Sequence, residues 1–300
     1  MDYAEKYANF LKGHASVKRP TRIICDSSNG TTGLVLKKLV GIPNLEFIFI
    51  NETPDPEFPA HGPNPLITGA ADMLSQKVLA TKADLGVVFD ADGDRAFFVD
   101  DLGRLIPSYI TSAIWFRRST PPFVADEHVY LSLTTTDILK KDQIIPARVG
   151  SIFIKEAMRQ NNALLGAEFS GHFYFKEFFG VDSGIFAMIY TLNILSELKQ
   201  SLSQLHTELT RQALVNIDIK LKNTNWEKVK EAVRKETQTI AKEYFEREGL
   251  TLITENGWIN VRSSNTEPLV RITTGAKTKE QAEQNLALMT KIVNKTDGSA

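Results

Sequence analysis

Residues 89–95 read FDADGDR, so an apolar run (Leu85, Gly86, Val87, Val88, Phe89) gives way to three aspartates at alternate positions and then an arginine. Like charges that close repel one another and favour proton uptake unless something offsets them. In an extended segment positions i, i+2 and i+4 project to one side, which would bring the carboxylates of Asp90, Asp92 and Asp94 to one point. Hard oxygen ligands in that arrangement suit Mg²⁺ or Ca²⁺, and the cation removes the repulsion. An EF-hand loop also opens D-x-D-x-D, but its sixth position needs glycine, and Arg95 stands there between flanks that read as strands. A solvated acidic turn explains a single aspartate well and three in register poorly. Arg95 is either a counter-charge or a cation that binds phosphoryl oxygens beside the metal.

Two further clusters carry chemistry. In AEFSGHFY, the period-two rule puts Glu168, Ser170 and His172 on one face, offering carboxylate, hydroxyl and imidazole to a polyol such as a sugar. A lone histidine is more often structural, so the trio carries the reading rather than His172 alone. In VRSSNTEP, Arg262, Ser264, Asn265 and Thr266 group a guanidinium with short polar donors, and Arg271 follows. Such a loop can wrap a phosphate through charge-assisted contacts and backbone N–H groups. A plain Ser/Asn/Thr turn would explain the small residues but not the arginine.

The elements that must position these clusters alternate. Thr21–Asp26 reads as a strand, followed by the turn SSNGTTG and a helical LVLKKLV; residues 46–50 form a second strand and 69–82 a helix with Ala71, Leu74, Val78 and Leu79 on one face. Residues 84–89 form a third strand that delivers the aspartates at its carboxyl end, where open α/β sheets bind ligands. The pattern restarts with a helix at 109–118, strand 127–133, helix 136–141, strand 143–149, helix 152–161 and strand 163–168. From about residue 212 the style becomes α+β: a strand at 215–221, a long helix from 226 to about 248, strands at 250–255, 258–262 and 268–273, and a last helix opened by a capping-box pair, Thr278 and Gln281. The expected architecture is two mixed βαβ-type domains followed by a small α+β domain, with boundaries at 1–104, 105–211 and 212–300.

Composition bounds the function. A chain of 300 residues is long enough for two or three domains, and 42% apolar with 24% charged residues is a globular balance. A formal net charge of −1 gives no electrostatic reason to expect nucleic acid or an acidic membrane as partner. The single cysteine, Cys25, excludes an intrachain disulfide and fits a reducing cytoplasm. The N-terminal stretch is charged and amphipathic without a signal-peptide apolar region, and no apolar run nears the roughly 20 residues of a membrane span. The expected setting is cytoplasmic.

Taken together and in this order, the three motifs resemble those of the α-D-phosphohexomutase family of phosphoglucomutases and phosphomannomutases. The metal loop D-G-D-G-D-R is matched by residues 90–95 with Ala91 in place of the first glycine, the sugar loop G-E-x-S-G-H by 167–172, and the phosphate loop R-x-S-N/G-T-x-P by 262–268. The segment FPAHGPNP, residues 58–65, is similar to a proline-rich loop of the family's second domain. The resemblance covers essentially the whole chain and implies domains two to four, the last TATA-binding-protein-like. It implies Mg²⁺ at Asp90, Asp92 and Asp94, support from Arg95, sugar contacts from Glu168 and Ser170 with His172 nearby, and phosphate anchoring by Arg262, Ser264, Asn265, Thr266 and Arg271. The reaction it implies is interconversion of hexose 1-phosphate and 6-phosphate through a phosphoserine in the first domain. No Ser-His-Asn-Pro motif is present, so the chain is expected to be inactive alone and to have a separate serine-bearing first domain as a partner beside its hexose phosphate. Two positions depart from the family: Ser151 follows Val149-Gly150 where histidine is usual, and Leu133 stands at the likeliest equivalent of a strand lysine or arginine. A catalytically silent phosphosugar-binding or regulatory protein is the alternative these departures favour.

Overall fold

The computed structural model describes residues 2–264 and 267–298. A capped amphipathic helix α1 (Tyr3–His14) precedes strand β1 (Thr21–Asp26), helix α2 (Thr32–Leu36), strand β2 (Leu45–Ile50), helix α3 (Asp72–Thr81) and the antiparallel run β3 (Leu85–Phe89), β4 (Ala96–Asp100) and β5 (Leu105–Ile106). The sheet order is β2-β1-β3-β4-β5, with β1 parallel to both neighbours. Because β5 pairs with β4, the first sheet runs past residue 104. Ala71, Leu74 and Val78 of the α3 face are buried, whereas Leu79 is exposed.

The second unit repeats this plan. Helix α4 (Ser108–Phe116) leads to β6 (Phe123–Asp126), α5 (Glu127–Thr134), β7 (Ile144–Ala147), α6 (Ser151–Asn161), β8 (Leu165–Ala167), β9 (Phe173–Phe175) and β10 (Val181–Asp182), then α7 (Gly184–Glu197) and α8 (Leu202–Leu209). Its order, β7-β6-β8-β9-β10, is the same topology, with β6 parallel to β7 and β8 and the β8–β9–β10 run antiparallel. The third unit is β11 (Ala213–Lys220), α9 (Trp226–Glu236), β12 (Glu243–Phe245), β13 (Leu250–Ile253), β14 (Gly257–Ser263), β15 (Leu269–Ala276) and α10 (Lys279–Asp297), an antiparallel sheet ordered β11-β15-β14-β13-β12. The mixed α/β, mixed α/β, α+β architecture expected from sequence is what is found. Among the described residues no helix is long and apolar enough to cross a membrane.

Local structure departs from the sequence reading in four places. The strand expected at 127–133 is helix α5, and the strand precedes it as β6. Val129, Leu131 and Leu133 mimic an alternating strand, but α5 is buried nearly all round, and a helix without a solvent face shows no diagnostic period. Asp126 starts it by accepting the Val129 N–H at 2.8 Å. Leu133 is therefore a core residue of a helix and not a strand position facing a substrate. No helix forms at 136–141; instead the N–H groups of Ile138 and Leu139 both return to the Leu133 carbonyl, and Asp137 has φ +54°. The helix begun at Trp226 stops at Glu236, where the buried Thr237 hydroxyl meets the Val233 carbonyl at 2.6 Å and Tyr244 at 2.8 Å, and the chain turns back to supply β12. At α10 only half of the capping box is made: Thr278 accepts from Gln281 N–H at 3.2 Å, while Gln281 Oε1 is buried without a hydrogen-bond partner among the described residues.

One hydrophobic core runs from Ala8 to Leu209 through both α/β units. Asp100, fully buried at the end of β4, accepts from Arg104 Nε at 2.9 Å and lies 2.9 Å from His206 Nδ1 of α8, tying the units together at the edge away from the sheet's carboxyl end. The third unit has its own core, centred on Val229, Val233, Leu252, Val261, Ile272 and Val293.

Loop 27–31 fixes where the aspartates sit. Asp26, fully buried, accepts the Ser28 N–H at 2.9 Å and both carboxylate oxygens lie 3.0 Å from Asn51 Nδ2, while His61 Nε2 stands at 3.2 Å. Thr31 N–H donates to the Ala91 carbonyl at 2.9 Å, and a Cβ on Gly30 would lie 2.1 Å from that same oxygen. Gly30→Ala should therefore lower unfolding free energy by about 1–3 kcal/mol. By contrast, Gly13 lies in α1 with nothing within 4 Å of where a Cβ would stand, and Gly13→Ala should leave stability unchanged or raise it by up to about 1 kcal/mol. Urea unfolding of the two variants checks this; equal stabilities would contradict the packing of loop 27–31 on the aspartate turn.

Candidate active site

Residues 90–95 form the turn of the β3–β4 hairpin, so the three aspartates converge because the chain turns and not because a strand alternates. Asp90 is buried and organises the turn: its Oδ1 accepts from Gly93 and Arg95 N–H, each at 3.1 Å, and its Oδ2 from Arg95 Nε at 2.6 Å. Gly93 has φ +80°, and a Cβ there would meet Thr32 Oγ1 at 2.4 Å. One carboxylate oxygen from each of Asp90, Asp92 and Asp94 lies within 4.8 Å of the others. Burial pushes the Asp90 carboxyl up to about 6 against the opposing pull of Arg95. Asp94 is held below the usual range, chiefly by His172. A buried oxygen of Asp94, Oδ1, has no hydrogen-bond partner among the described residues. Crowded oxygens, one of them unsatisfied, fit a hard divalent cation.

Arg95 is held rather than free, with Nη1 donating to Asn64 Oδ1 at 3.2 Å as well as Nε to Asp90. The proline-rich segment 58–65 thus also packs on the aspartate turn, and the Pro63 carbonyl takes the Ala91 N–H at 3.2 Å.

Residues 168–172 are the equivalent turn of the second sheet, between β8 and β9. The two turns touch through backbone: Arg95 and His172 form an antiparallel bridge, and Ala96 N–H donates to the Gly171 carbonyl at 3.1 Å. A Cβ on Gly171 would meet the Phe97 ring at 2.5 Å, and one on Gly184 the Arg95 carbonyl oxygen at 2.5 Å. The trio does not share one strand face. Glu168 is buried, taking the Gly150 N–H at 2.7 Å and the Tyr174 hydroxyl at 2.6 Å, so it holds the start of α6. Ser170 Oγ lies 2.8 Å from His172 Nδ1, and His172 Nε2 lies 3.4 Å from Asp94. Burial disfavours charge on His172, but Asp94, followed by Glu168 and Asp182, outweighs it and its pKa is raised.

Arg262 of β14 faces Arg271 of β15 across the third sheet. Arg271 forms a two-point pair with Asp218 at 2.7 and 2.6 Å, whereas Arg262 stands 3.6 Å from Glu248 and its buried Nε has no hydrogen-bond partner among the described residues. The Glu267 N–H returns to Ser264 Oγ at 3.3 Å. Asn265 and Thr266 lie outside the described residues. A cavity of about 390 Å³ joins the units, lined by Asn64 of the first, His128 and Ser170 of the second, and Asn216, Arg262 and Arg271 of the third.

Asp126 and His128 escape a sequence reading that takes 127–133 as a strand. The available signal is DEH following the apolar FVA, the same apolar-to-polar break that marks the aspartate turn. Asp126 is fully enclosed, accepts Phe169 N–H at 2.7 Å, and is pushed up to about 7 by burial. His128 Nε2 lies 3.0 Å from Asn260 Oδ1, and Asn260 Nδ2 is committed to the Glu248 carbonyl at 2.7 Å. That network assigns the proton to Nε2. With Glu127, which pairs with Arg247 at 2.7 Å, His128 fastens the third unit to the second.

Two mixed sheets of one topology and a third, antiparallel one share a cleft lined by carboxylate, imidazole and guanidinium groups, and comparison with known proteins gives the class to which this arrangement belongs. Residues 1–103 match the family model described as phosphoglucomutase/phosphomannomutase alpha/beta/alpha domain II, residues 116–213 that of domain III, and 214–291 that of the C-terminal domain. The chain belongs to the phosphoglucomutase/phosphomannomutase family. It is 31% identical to a phosphomannomutase of Methanocaldococcus jannaschii, covering 98% of this chain and 66% of that protein. It is 29% identical to a phosphomannomutase of Escherichia coli, covering 89% and 62%. The chain thus spans about two thirds or less of these relatives' length. A phosphoglucomutase/phosphomannomutase family protein from Burkholderia thailandensis superposes with a TM-score of 0.85 at 23% identity over 100% of this chain and 66% of that one. An N-acetylphosphoglucosamine mutase of Aspergillus fumigatus, solved with GlcNAc-6P and magnesium, gives 0.66 at 15% over 98% and 65%.

Burial pushes the His128 imidazole down to about 4, ahead of any other influence. In ¹H–¹⁵N spectra it should therefore keep the neutral Nε2–H form from pH 7 to about pH 4.5. A titration centred near the ordinary value of about 6.5 would contradict its enclosure.

Proposed function

We propose that these residues form the metal-, sugar- and phosphate-binding part of a hexose-phosphate mutase that moves a phosphoryl group between the 1- and 6-positions with Mg²⁺. The observation that carries this reading is the meeting of the three units at one cavity beside the bridged turns, where the buried Arg262 Nε has no hydrogen-bond partner among the described residues. Asp90, Asp92 and Asp94 are the residues that would hold Mg²⁺, which supplies positive charge against the reacting phosphoryl oxygens. Among relatives of this fold, the Aspergillus fumigatus mutase was solved with magnesium and a sugar phosphate.

In this reading Arg95, fixed by Asp90 and Asn64, presents its remaining guanidinium edge to the same phosphoryl group. Ser170 and His172 meet sugar hydroxyls at the mouth of the cavity. Glu168 acts from behind: its carboxylate orients Tyr174 and the start of α6, and faces His172 Nδ1 at 3.7 Å. Arg262 and Arg271 anchor the phosphate that is not reacting, with Ser264, Asn265 and Thr266 as the rest of that loop. Ser151 begins α6 in the position where the family usually has histidine, one residue beyond the Gly150 that Glu168 holds. The phosphoryl acceptor is a serine outside these residues, so the 300-residue chain by itself is inactive as a mutase. In this reading residues 1–104, with β5 completing their sheet, would serve the metal, the remainder to 211 the sugar and 212–300 the phosphate.

Calorimetry with glucose 1-phosphate tests this. Arg262→Ala should cost on the order of 1.5–3 kcal/mol of binding, roughly 10–100-fold in Kd, and a coupled assay of the wild-type chain with Mg²⁺ and a bisphosphate activator should show no turnover. Equal affinity for both proteins would reduce the Arg262 loop to a turn. Turnover by the isolated chain, free of contaminating mutase, would overturn the assignment of the acceptor.

A further inference from the structure

Beside the aspartate turn stands a second group of ligand atoms with different chemistry. One atom each from Asp94, His172 and Asp182 lies within 4.8 Å of the others, in a partly exposed position at the seam of the first two units. Asp94 comes from the β3–β4 turn, His172 from the β8–β9 turn and Asp182 from β10, which pairs with Tyr174. We propose that these three residues form a separate cation site, selective for a borderline transition ion such as Zn²⁺, that shares Asp94 with the aspartate turn and therefore competes with Mg²⁺ for it.

Ligand type makes the distinction. Mg²⁺ takes oxygen donors and binds best where carboxylates and water complete an octahedron, as Asp90, Asp92 and Asp94 allow. An imidazole nitrogen with two carboxylates is a donor set that Zn²⁺ accepts in four-coordinate geometry, leaving one position for water or an anion. The spacing agrees. His172 Nε2 and Asp94 Oδ2 are 3.4 Å apart, longer than the roughly 2.7–2.9 Å of a charge-assisted hydrogen bond. Bonds of about 2.0–2.1 Å to a tetrahedral Zn²⁺ put neighbouring ligand atoms about 3.3–3.4 Å apart.

The surroundings supply what a metal-binding histidine needs. Coordination through Nε2 requires the proton on Nδ1 and a partner to accept it. Ser170 Oγ stands 2.8 Å from Nδ1, with the Glu168 carboxylate behind at 3.7 Å, and Glu168 is itself fixed by Tyr174 and Gly150. Nearby cations leave the ligand oxygens accessible: Arg95 Nε is 3.9 Å from Asp94 Oδ1 and Lys155 Nζ is 4.0 Å from Asp182 Oδ1, both beyond hydrogen-bond reach. An ion here would cross-link two units that meet at this point through backbone contacts, and would draw Asp94 away from the neighbouring site.

The test uses the chain with Zn²⁺ or Co²⁺ alone. Calorimetry should show one Zn²⁺ bound, weakened on the order of 10–100-fold by Asp182→Asn and left unchanged by Asp92→Asn. The Mg²⁺ response should show the reverse: lost in Asp92→Asn and kept in Asp182→Asn. Co²⁺ should give the intense visible bands of a four-coordinate ion, and excess Zn²⁺ should abolish them. In the wild type, where folding is not in question, Zn²⁺ should shift the ¹⁵N resonance of His172 Nε2. Loss of Zn²⁺ binding in Asp92→Asn with no effect of Asp182→Asn would mean that the ion sits in the aspartate turn, and the proposal fails. Only the faint bands of six-coordinate Co²⁺, or an unmoved His172 Nε2 resonance, would overturn it as well.

Discussion

The site depends on two hairpin turns from different units meeting backbone to backbone. The bridge between Arg95 and His172, with Ala96 N–H on the Gly171 carbonyl at 3.1 Å, sets the aspartate turn against the Ser170–His172 turn at a distance no flexible side-chain contact would hold. Gly184 N–H adds a bond to the Gly93 carbonyl at 2.9 Å. Close approach of this kind is possible only without side chains, which is why a Cβ on Gly171 or Gly184 would collide with Phe97 or Arg95. The charges follow from the backbone: once the turns touch, Asp94 and His172 are neighbours, and each shifts the other toward its ionised form.

The repeated topology explains why the turns are in position to meet. In both sheets the first strand lies parallel to its two neighbours, and the third and fourth strands make the hairpin that bears the functional turn. Each first strand also ends in a buried aspartate that secures the neighbouring loop: Asp26 holds Ser28 and Asn51, and Asp126 holds Val129 and Phe169. Two copies of one scaffold thus present unlike chemistry, three carboxylates from one and a hydroxyl and imidazole from the other. The third unit adds guanidinium groups and is held by Glu127–Arg247 and His128–Asn260, contacts that arise at the start of α5.

Much of this arrangement is legible in the sequence. The strand that ends at Phe89, the βαβ order and the change of style near residue 212 follow from apolar periodicity and turn residues, and all appear in the fold. The convergence of the aspartates is also legible, but the extended-strand geometry behind that expectation does not hold, since a turn brings them together. Glu168, Ser170 and His172 do come together, but in a turn rather than on a strand face, and the Glu168 carboxylate is already taken by Gly150 and Tyr174. The larger misreading is α5, where burial on all sides erases the helical pattern and hides Asp126 and His128 from view. The end of α9 is invisible because KETQTIAKEYFERE carries no Pro or Gly, and the break is set by the tertiary need for a fifth strand beside β13. Asp182, far from the aspartate turn in sequence, becomes its neighbour only when the two sheets are assembled.

Three units serving one ligand in one cavity is the arrangement on which the proposed function stands. A crystal structure of this chain grown with Mg²⁺ and glucose 1-phosphate tests it without intermediaries. The phosphate should lie in hydrogen-bond contact with the Arg262 guanidinium, the sugar ring beside Ser170 and His172, and the cation on Asp90, Asp92 and Asp94. A sugar phosphate found instead only in the outer basic pocket lined by Lys155, Arg159 and Lys176, with the central cavity holding solvent alone, would contradict that arrangement.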